Sequence, residues 1–265
     1  MKKNKQNLSH NGSFPISAII TLIMALVTTS NVPPPHYVYI PLVITPLQYK
    51  GLALADPLHP GDIDALGASW WYDWTPTGGV PMLWSGSPST DIPQHYAGYI
   101  LVLNEPNLSS QANVTPYEAV KRLAILRAYY PDARLLCCGV SIWAGDWMRE
   151  FWQLGGRPDA WHVHAYTESY ITPDYVKRDL TAWHNLTGGD YWVTEYGSPA
   201  GSLVDFRAVT EWFMAQQWIK RIAAYTNRQP DGVPWAIGEG VEMVNPDGAL
   251  SPIGEWYSAY PGPAR

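Results

Sequence analysis

The sequence predicts an α/β fold, a single compact (β/α)8 TIM barrel, and three observations carry that expectation. From residue 50 onward, short apolar strand-like runs alternate with helix-like segments, and eight such runs can be counted. Two of them end in a carboxylate and then a chain breaker: residues 98–104 before Glu105-Pro106, and residues 191–194 before Glu195-Tyr196-Gly197. Parallel barrels deliver polar groups to the rim of their core in this way. Glu105 and Glu195 are also 90 residues apart, which is three units of about 30, the size of one βαβ step. The barrel segment, of about 210 residues, lies at the short end for this fold. Helices after the first three strands are therefore expected to be short or missing.

Residues 1–31 read as a targeting segment. Lys2, Lys3 and Lys5 make a basic start and residues 16–27 form an apolar run. That run is shorter than the roughly 20 residues a membrane span needs, so a secretory signal is expected, with an uncleaved anchor as the second reading. Residues 32–48 carry prolines 33, 34, 35, 41 and 46 and read as an extended linker. Residues 49–265 are then the barrel domain.

Within it, residues 50–55 (KGLALA), 68–74 (ASWWYDW), 80–84 (VPMLW) and 98–104 (GYILVLN) are the first four expected strands. Pro106 cannot donate to a ladder and pushes Glu105 out of helical geometry, so the fourth strand must stop there. Read alone, the same stretch could equally cap a helix. Thr115-Pro116-Tyr117-Glu118 is a capping box with proline at the first helical position. It opens a helix to about Tyr130, with Tyr117, Val120, Leu123 and Ala124 along one face. Residues 134–139 (RLLCCG) are the fifth strand, and Trp147, Phe151 and Leu154 mark a short amphipathic helix. Residues 159–165 (DAWHVHA) are the sixth strand, a helix opens near Thr172-Pro173, and residues 191–194 are the seventh strand. A long helix is expected over residues 205–225, and residues 233–238 (VPWAIG) are read as the eighth strand. Cys137 and Cys138, as neighbours on a strand, would point to opposite faces, so two small buried thiols are expected.

Composition narrows the function. Net charge is −6 and no basic run exists outside the first five residues, which argues against nucleic acid as a partner. There is no glycine-rich phosphate loop, no HExxH, no EF-hand loop and no Cys/His cluster of ligand spacing. No nucleotide, metal or other cofactor is expected. A lysine-dependent barrel chemistry is disfavoured too, since no lysine falls between Lys50 and Lys121 or between Lys121 and Lys177. The aromatics are 14 Trp and 17 Tyr against 4 Phe, so most carry a polar handle. Many must be core, but such rings also suit a wet groove that packs on sugar faces. Trp71, Trp74, Trp84, Trp143 and Trp235 lie at or near expected strand ends and are the candidates. His164 and Tyr166 lie two apart on the sixth strand and share a face, with His162. Sequons stand at Asn107, Asn113 and Asn185. Two strand-end glutamates are the pair that glycoside hydrolysis uses, and Asn104 beside the first could bond a substrate 2-hydroxyl.

Asn104-Glu105-Pro106 and Thr194-Glu195-Tyr196-Gly197 resemble the clan A retaining glycoside hydrolases. More narrowly, the chain resembles the compact barrels of glycoside hydrolase family 128, which cleave β-1,3-glucans. The stretches that carry this are SWWYDW (69–74), PMLW (81–84), NEPN (104–107), HVHAY (162–166), WVTEYG (192–197) and DGALSPIG (247–254). In order, they cover residues 50 to about 260. The resemblance implies Glu105 as acid/base and Glu195 as nucleophile, with Tyr196 among the substrate contacts. Two positions depart from the pattern: Asp73 stands where the family usually has Asn, and Glu239 adds a third glutamate near the rim. The expected protein is a secreted or membrane-anchored, monomeric retaining endo-glycosidase acting on β-1,3-glucan. The alternatives are an inactive glycan-binding barrel and a clan A hydrolase of another β-linked polysaccharide.

Overall fold

A computed structural model describes residues 50–229 and 237–261. The targeting segment and linker expected over residues 1–48 lie outside the described residues. Residues 43–265 cluster as one compact unit. Its elements are β1 (Lys50–Ala53), α1 (Gly61–Ala65), β2 (Trp70–Tyr72), β3 (Met82–Leu83), β4 (Tyr99–Val102), α2 (Pro116–Tyr129), β5 (Arg134–Ser141), α3 (Gly145–Gln153), β6 (Ala160–His164), α4 (Pro173–Thr187), β7 (Tyr191–Tyr196), α5 (Leu203–Ala215), β8 (Ile219–Tyr225) and α6 (Pro252–Ala259).

All eight strands are parallel in one sheet of order β2-β1-β8-β7-β6-β5-β4-β3. Pairing of the first strand with the last curls the sheet into a nearly closed (β/α)8 barrel. Beside the β2/β3 seam, the Val80 amide donates to the Trp71 carbonyl (2.8 Å). Among the described residues, the only α-helix before β4 is the five-residue α1, as the short barrel segment requires. Helix starts follow the sequence. Thr115, Thr172 and Ser251 each accept an amide hydrogen bond at the N-cap, with proline in the first turn.

Side chains alternate between two cores. Outside the strands, Leu, Val and Phe residues pack against the helices. Inside, Trp70, Trp192, Leu101 and Leu136 belong to a second cluster. At the N-terminal ends of the strands, Trp192 lies 5.2 Å edge-on to Trp70 and 4.7 Å from Tyr99, ring to ring. The Arg221 guanidinium sits 4.3 Å over Trp192. The C-terminal helix is tied back to the first strand: Lys50 Nζ donates to the carbonyls of Tyr257, Ser258 and Tyr260 at the end of α6.

Two expectations are corrected. The helix read over residues 205–225 ends at Ala215, and Ile219–Tyr225 is β8. The I-K-R-I spacing mimics a helix face, but this run is hydrogen-bonded to β7 on one side and β1 on the other. Residues 237–238 carry no strand, and 230–236 lie outside the described residues. Cys137 and Cys138 are joined as a disulfide rather than being two thiols. Their peptide bond is cis.

Candidate active site

Both glutamates reach the C-terminal mouth of the barrel by specific backbone devices. Beyond β4, Leu103 and Glu105 take left-handed φ values of 68° and 43°, a conformation uncommon outside glycine and found where function holds a residue in place. Glu105 N–H donates to the Gly139 carbonyl (2.9 Å). Gly139 itself has φ 61°, and a Cβ there would lie 2.6 Å from the Leu103 carbonyl oxygen. Only glycine lets β5 come this close. Register shifts in the β5/β6 and β6/β7 pairings fall at Gly139 and next to His164. Bulges of this kind re-aim side chains at barrel rims.

Glu195, on β7, is the fixed member. Its Oε1 accepts from Tyr72 Oη (2.9 Å) and Trp74 Nε1 (2.8 Å), and its Oε2 from Tyr166 Oη (2.8 Å). Glu105 Oε1 accepts from Ser141 Oγ (2.9 Å). Between them, fully buried His164 places Nδ1 3.2 Å from Glu105 Oε1 and 3.2 Å from Glu195 Oε2. The angles fall short of a hydrogen bond, so neither ring nitrogen has one among the described residues. The contact is electrostatic. The three ligand-type atoms all lie within 4.8 Å of one another, a donor set that could also take a divalent cation.

Burial pushes the Glu195 carboxyl up, and the charge of Glu105 adds to it. Together they outweigh His164 and the hydrogen-bond donors, leaving Glu195 above the usual carboxylate range. Burial also pushes Glu105 up, but the adjacent His164 more than offsets this and Glu105 falls below that range. Burial alone would lower His164, yet the two carboxylates raise it above its ordinary value. The three groups thus hold their protons as one unit. His162 is different. Buried between the Val102 carbonyl (2.9 Å) and Thr194 Oγ1 (3.1 Å), it is pushed down to about 3 by burial and is a neutral structural histidine.

The carboxylates open into a cleft of about 900 Å³. Asn104, Tyr166, Trp74, Trp84 and Trp143, all sequence candidates, line it. Trp84 and Trp143 expose 38% and 46% of their surface, so flat rings are available at the mouth. Asn104 donates to Gln111 Oε1 (3.2 Å), while its own buried Oδ1 has no partner.

Other expected contacts fall elsewhere. Tyr196 is fully buried on the opposite face of β7, stacked on Phe206 at 5.2 Å and accepting from Thr210 Oγ1. Side chains alternate, so a residue next to inward-facing Glu195 faces the helices. Trp71 likewise packs into the outer core. Trp235 lies outside the described residues. Glu239 sits exposed in a short 3-10 turn, residues Glu239–Val241, rather than at a strand end. Sequence reading missed Tyr72 and Ser141. The signal for Tyr72 was its spacing of two from Trp74.

Comparison with known proteins agrees with this geometry. Residues 51–257 match the family described as glycosyl hydrolase catalytic core. No curated protein matches the sequence. Among solved structures, a GH128 subgroup II endo-β-1,3-glucanase from Sorangium cellulosum is similar at 20% identity and TM-score 0.64, covering 80% of this chain and 98% of that one. A subgroup I endo-β-1,3-glucanase from Amycolatopsis mediterranei, in complex with laminaritriose, aligns at 21% and 0.64, covering 80% and 99%. A subgroup VII oligosaccharide-binding protein from Trichoderma gamsii aligns at 22% and 0.59, covering 80% and 95%. At these identities the structural likeness establishes the barrel. The family match spans nearly all of that barrel and includes both rim glutamates, and the chain belongs to the glycosyl hydrolase catalytic-core family, as an O-glycoside hydrolase.

Proposed function

We propose that the protein is a retaining β-1,3-glucanase working by double displacement, with Glu195 as nucleophile and Glu105 as acid/base. The observation that carries this is the spacing of the carboxylate oxygens, within 4.8 Å. Retaining enzymes hold their two carboxyls about 5–5.5 Å apart, and inverting ones about 6.5–9.5 Å to admit a water. Three donors hold the Glu195 carboxylate in one rotamer, which suits attack on an anomeric carbon. Glu105, the more open of the pair, stands where it can reach a leaving glycosidic oxygen.

In the empty cleft His164 keeps Glu105 ionised. A sugar seated over the cleft displaces water from Glu105 and raises its proton affinity. The proton held by the three-group unit then moves to the residue that must donate it. Glu195 attacks the anomeric carbon as Glu105 protonates the leaving oxygen. Water, deprotonated by Glu105, next displaces Glu195, and the anomeric configuration is retained.

β-1,3-Glucan as substrate is supported by the motif resemblance and by the structural neighbours, which are endo-β-1,3-glucanases. The basic start and apolar run of the N-terminal segment support export as the setting.

The test is reducing-sugar release from β-1,3-glucan, mixed-linkage glucan, cellulose, xylan and mannan, with anomers followed by proton NMR. The expected result is release from β-1,3-glucan, β-anomer first, abolished in Glu195→Gln. The α-anomer first would refute double displacement. Glycan binding without release by the wild type would move the protein to the binding-barrel class that the Trichoderma gamsii neighbour represents.

A further inference from the structure

We infer that the cleft is an electrostatic filter, open to neutral and amino-bearing glycans and closed to uronate- or sulfate-bearing ones, and that Asp73 and Glu168 set its selectivity. This rests on the glycosidase reading and names the charge class of its substrate.

Four carboxylate residues line the cleft, Asp73, Glu105, Glu168 and Glu195, and no Lys, Arg or His stands among the described lining residues. The chain has 17 Lys and Arg in all, so their absence from the mouth is a matter of placement.

Only two of these carboxylates belong to the reacting pair. The other two line the same cleft. Asp73 Oδ1 accepts from the Thr75 amide (3.2 Å) and Thr75 Oγ1 (2.7 Å), which anchors it one residue before the Trp74 that holds Glu195. Glu168 lies two residues beyond Tyr166, in a turn closed by reciprocal amide–carbonyl bonds with Ile171 (3.0 and 3.1 Å). The cleft is also built for a polar ligand. Asn104 is 95% buried, since only 5% of its surface is exposed, and its Oδ1 has no partner. That unpaired acceptor calls for a donor such as a sugar hydroxyl or amine.

An anionic group brought into such a mouth meets repulsion that low-dielectric walls intensify, whereas a hydroxyl feels little and an ammonium is attracted.

The experiment compares one soluble β-1,3-glucan in three forms: unmodified, carboxymethylated, and aminoethylated to the same degree. The two derivatives are similar in bulk and opposite in charge. kcat/KM is measured at low and high salt for wild type and for the Asp73→Asn/Glu168→Gln double variant. Binding of the same three glycans to Glu195→Gln is measured in parallel by calorimetry. In the wild type the carboxymethyl form is expected to lag the aminoethyl form by about tenfold or more at low salt. The gap shrinks at high salt and shrinks again in the double variant. Equal use of both derivatives, or a gap indifferent to salt and to the double variant, would overturn the filter. Failure to cleave any form while binding still ranks aminoethyl above carboxymethyl would refute the hydrolase reading and leave the filter standing. Binding to none of the three would refute both.

Discussion

Tyr166→Phe isolates one of the interactions that favour the ionised form of Glu195 against the upward push of burial. The phenol donates to Glu195 Oε2 at 2.8 Å, while Tyr72 and Trp74 hold Oε1. A hydrogen bond to a charged group contributes about 1.5–3 kcal/mol. Phenylalanine fills nearly the same space, so the change removes the donor and leaves the packing on Tyr225 (5.8 Å between rings) largely in place. The sign follows from which form the bond favours. It stabilises the carboxylate, so its loss makes Glu195 easier to protonate, on top of the upward push from burial. A nucleophile must be ionised, so the acid limb of kcat/KM moves toward neutral pH. Each 1.36 kcal/mol is tenfold, so below the wild-type limb the variant loses at least about tenfold more activity than it loses on the plateau. The assay is a pH profile on soluble β-1,3-glucan for both proteins, with thermal melts as a check on folding. A limb that stays in place, or moves to lower pH, would show that Tyr166 does not set the charge of Glu195.

Three further outcomes are expected. Glu105→Ala should lower turnover by about 10²–10⁴-fold, and azide should restore activity by forming a β-glycosyl azide; an α-azide, seen by NMR, would contradict retention. Arg228→Ala removes a bidentate partner (2.8 and 3.1 Å) of nearly buried Asp62, costing about 3 kcal/mol and lowering Tm by roughly 6–12 °C in a domain of this size. Burial pushes Asp62 up, but Arg228 and Asn227 outweigh it and hold it below its ordinary range. The stability from this pair is present above the unfolded carboxylate's range and lost as pH falls through the lowered folded value. The Tm gap should therefore close in acid, as melts across pH would show. Gly254→Ala would place a Cβ 2.0 Å from the Met243 carbonyl oxygen, and overpacking of about 1–3 kcal/mol should appear as a lower denaturation midpoint with unchanged slope.

Local chemistry carried much of the fold into the sequence. Threonine before proline marked two helix starts, and a carboxylate followed by a breaker marked the rim ends of β4 and β7. What failed was decided by distant partners. Ile219–Tyr225 becomes a strand because β1 and β7 flank it, and no pattern within the segment separates I-K-R-I as strand from I-K-R-I as helix. The site was legible in proportion to how strictly the two-residue period was applied. Trp70 and Tyr72 share the inner face with Trp74 nearby, so Trp71 had to face outward. The same parity separates Tyr196 from Glu195. Ser141 could not be read at all, because β5 reaches Glu105 through a bulge at Gly139 that only the folded backbone reveals.

The aromatic packing at the N-terminal ends of the strands bears on traffic through the enzyme. With Trp70, Tyr99 and Trp192 packed in that half of the barrel under the Arg221 guanidinium, the described cleft opens to the two glutamates from the opposite, C-terminal end. On the double-displacement reading, water that releases the glycosyl-enzyme uses the same cleft as the sugar. A fresh sugar hydroxyl arriving there competes with water for the same intermediate. On the double-displacement reading, products longer than the substrate are expected to accumulate as glucan concentration rises, and chromatography of the products would show them.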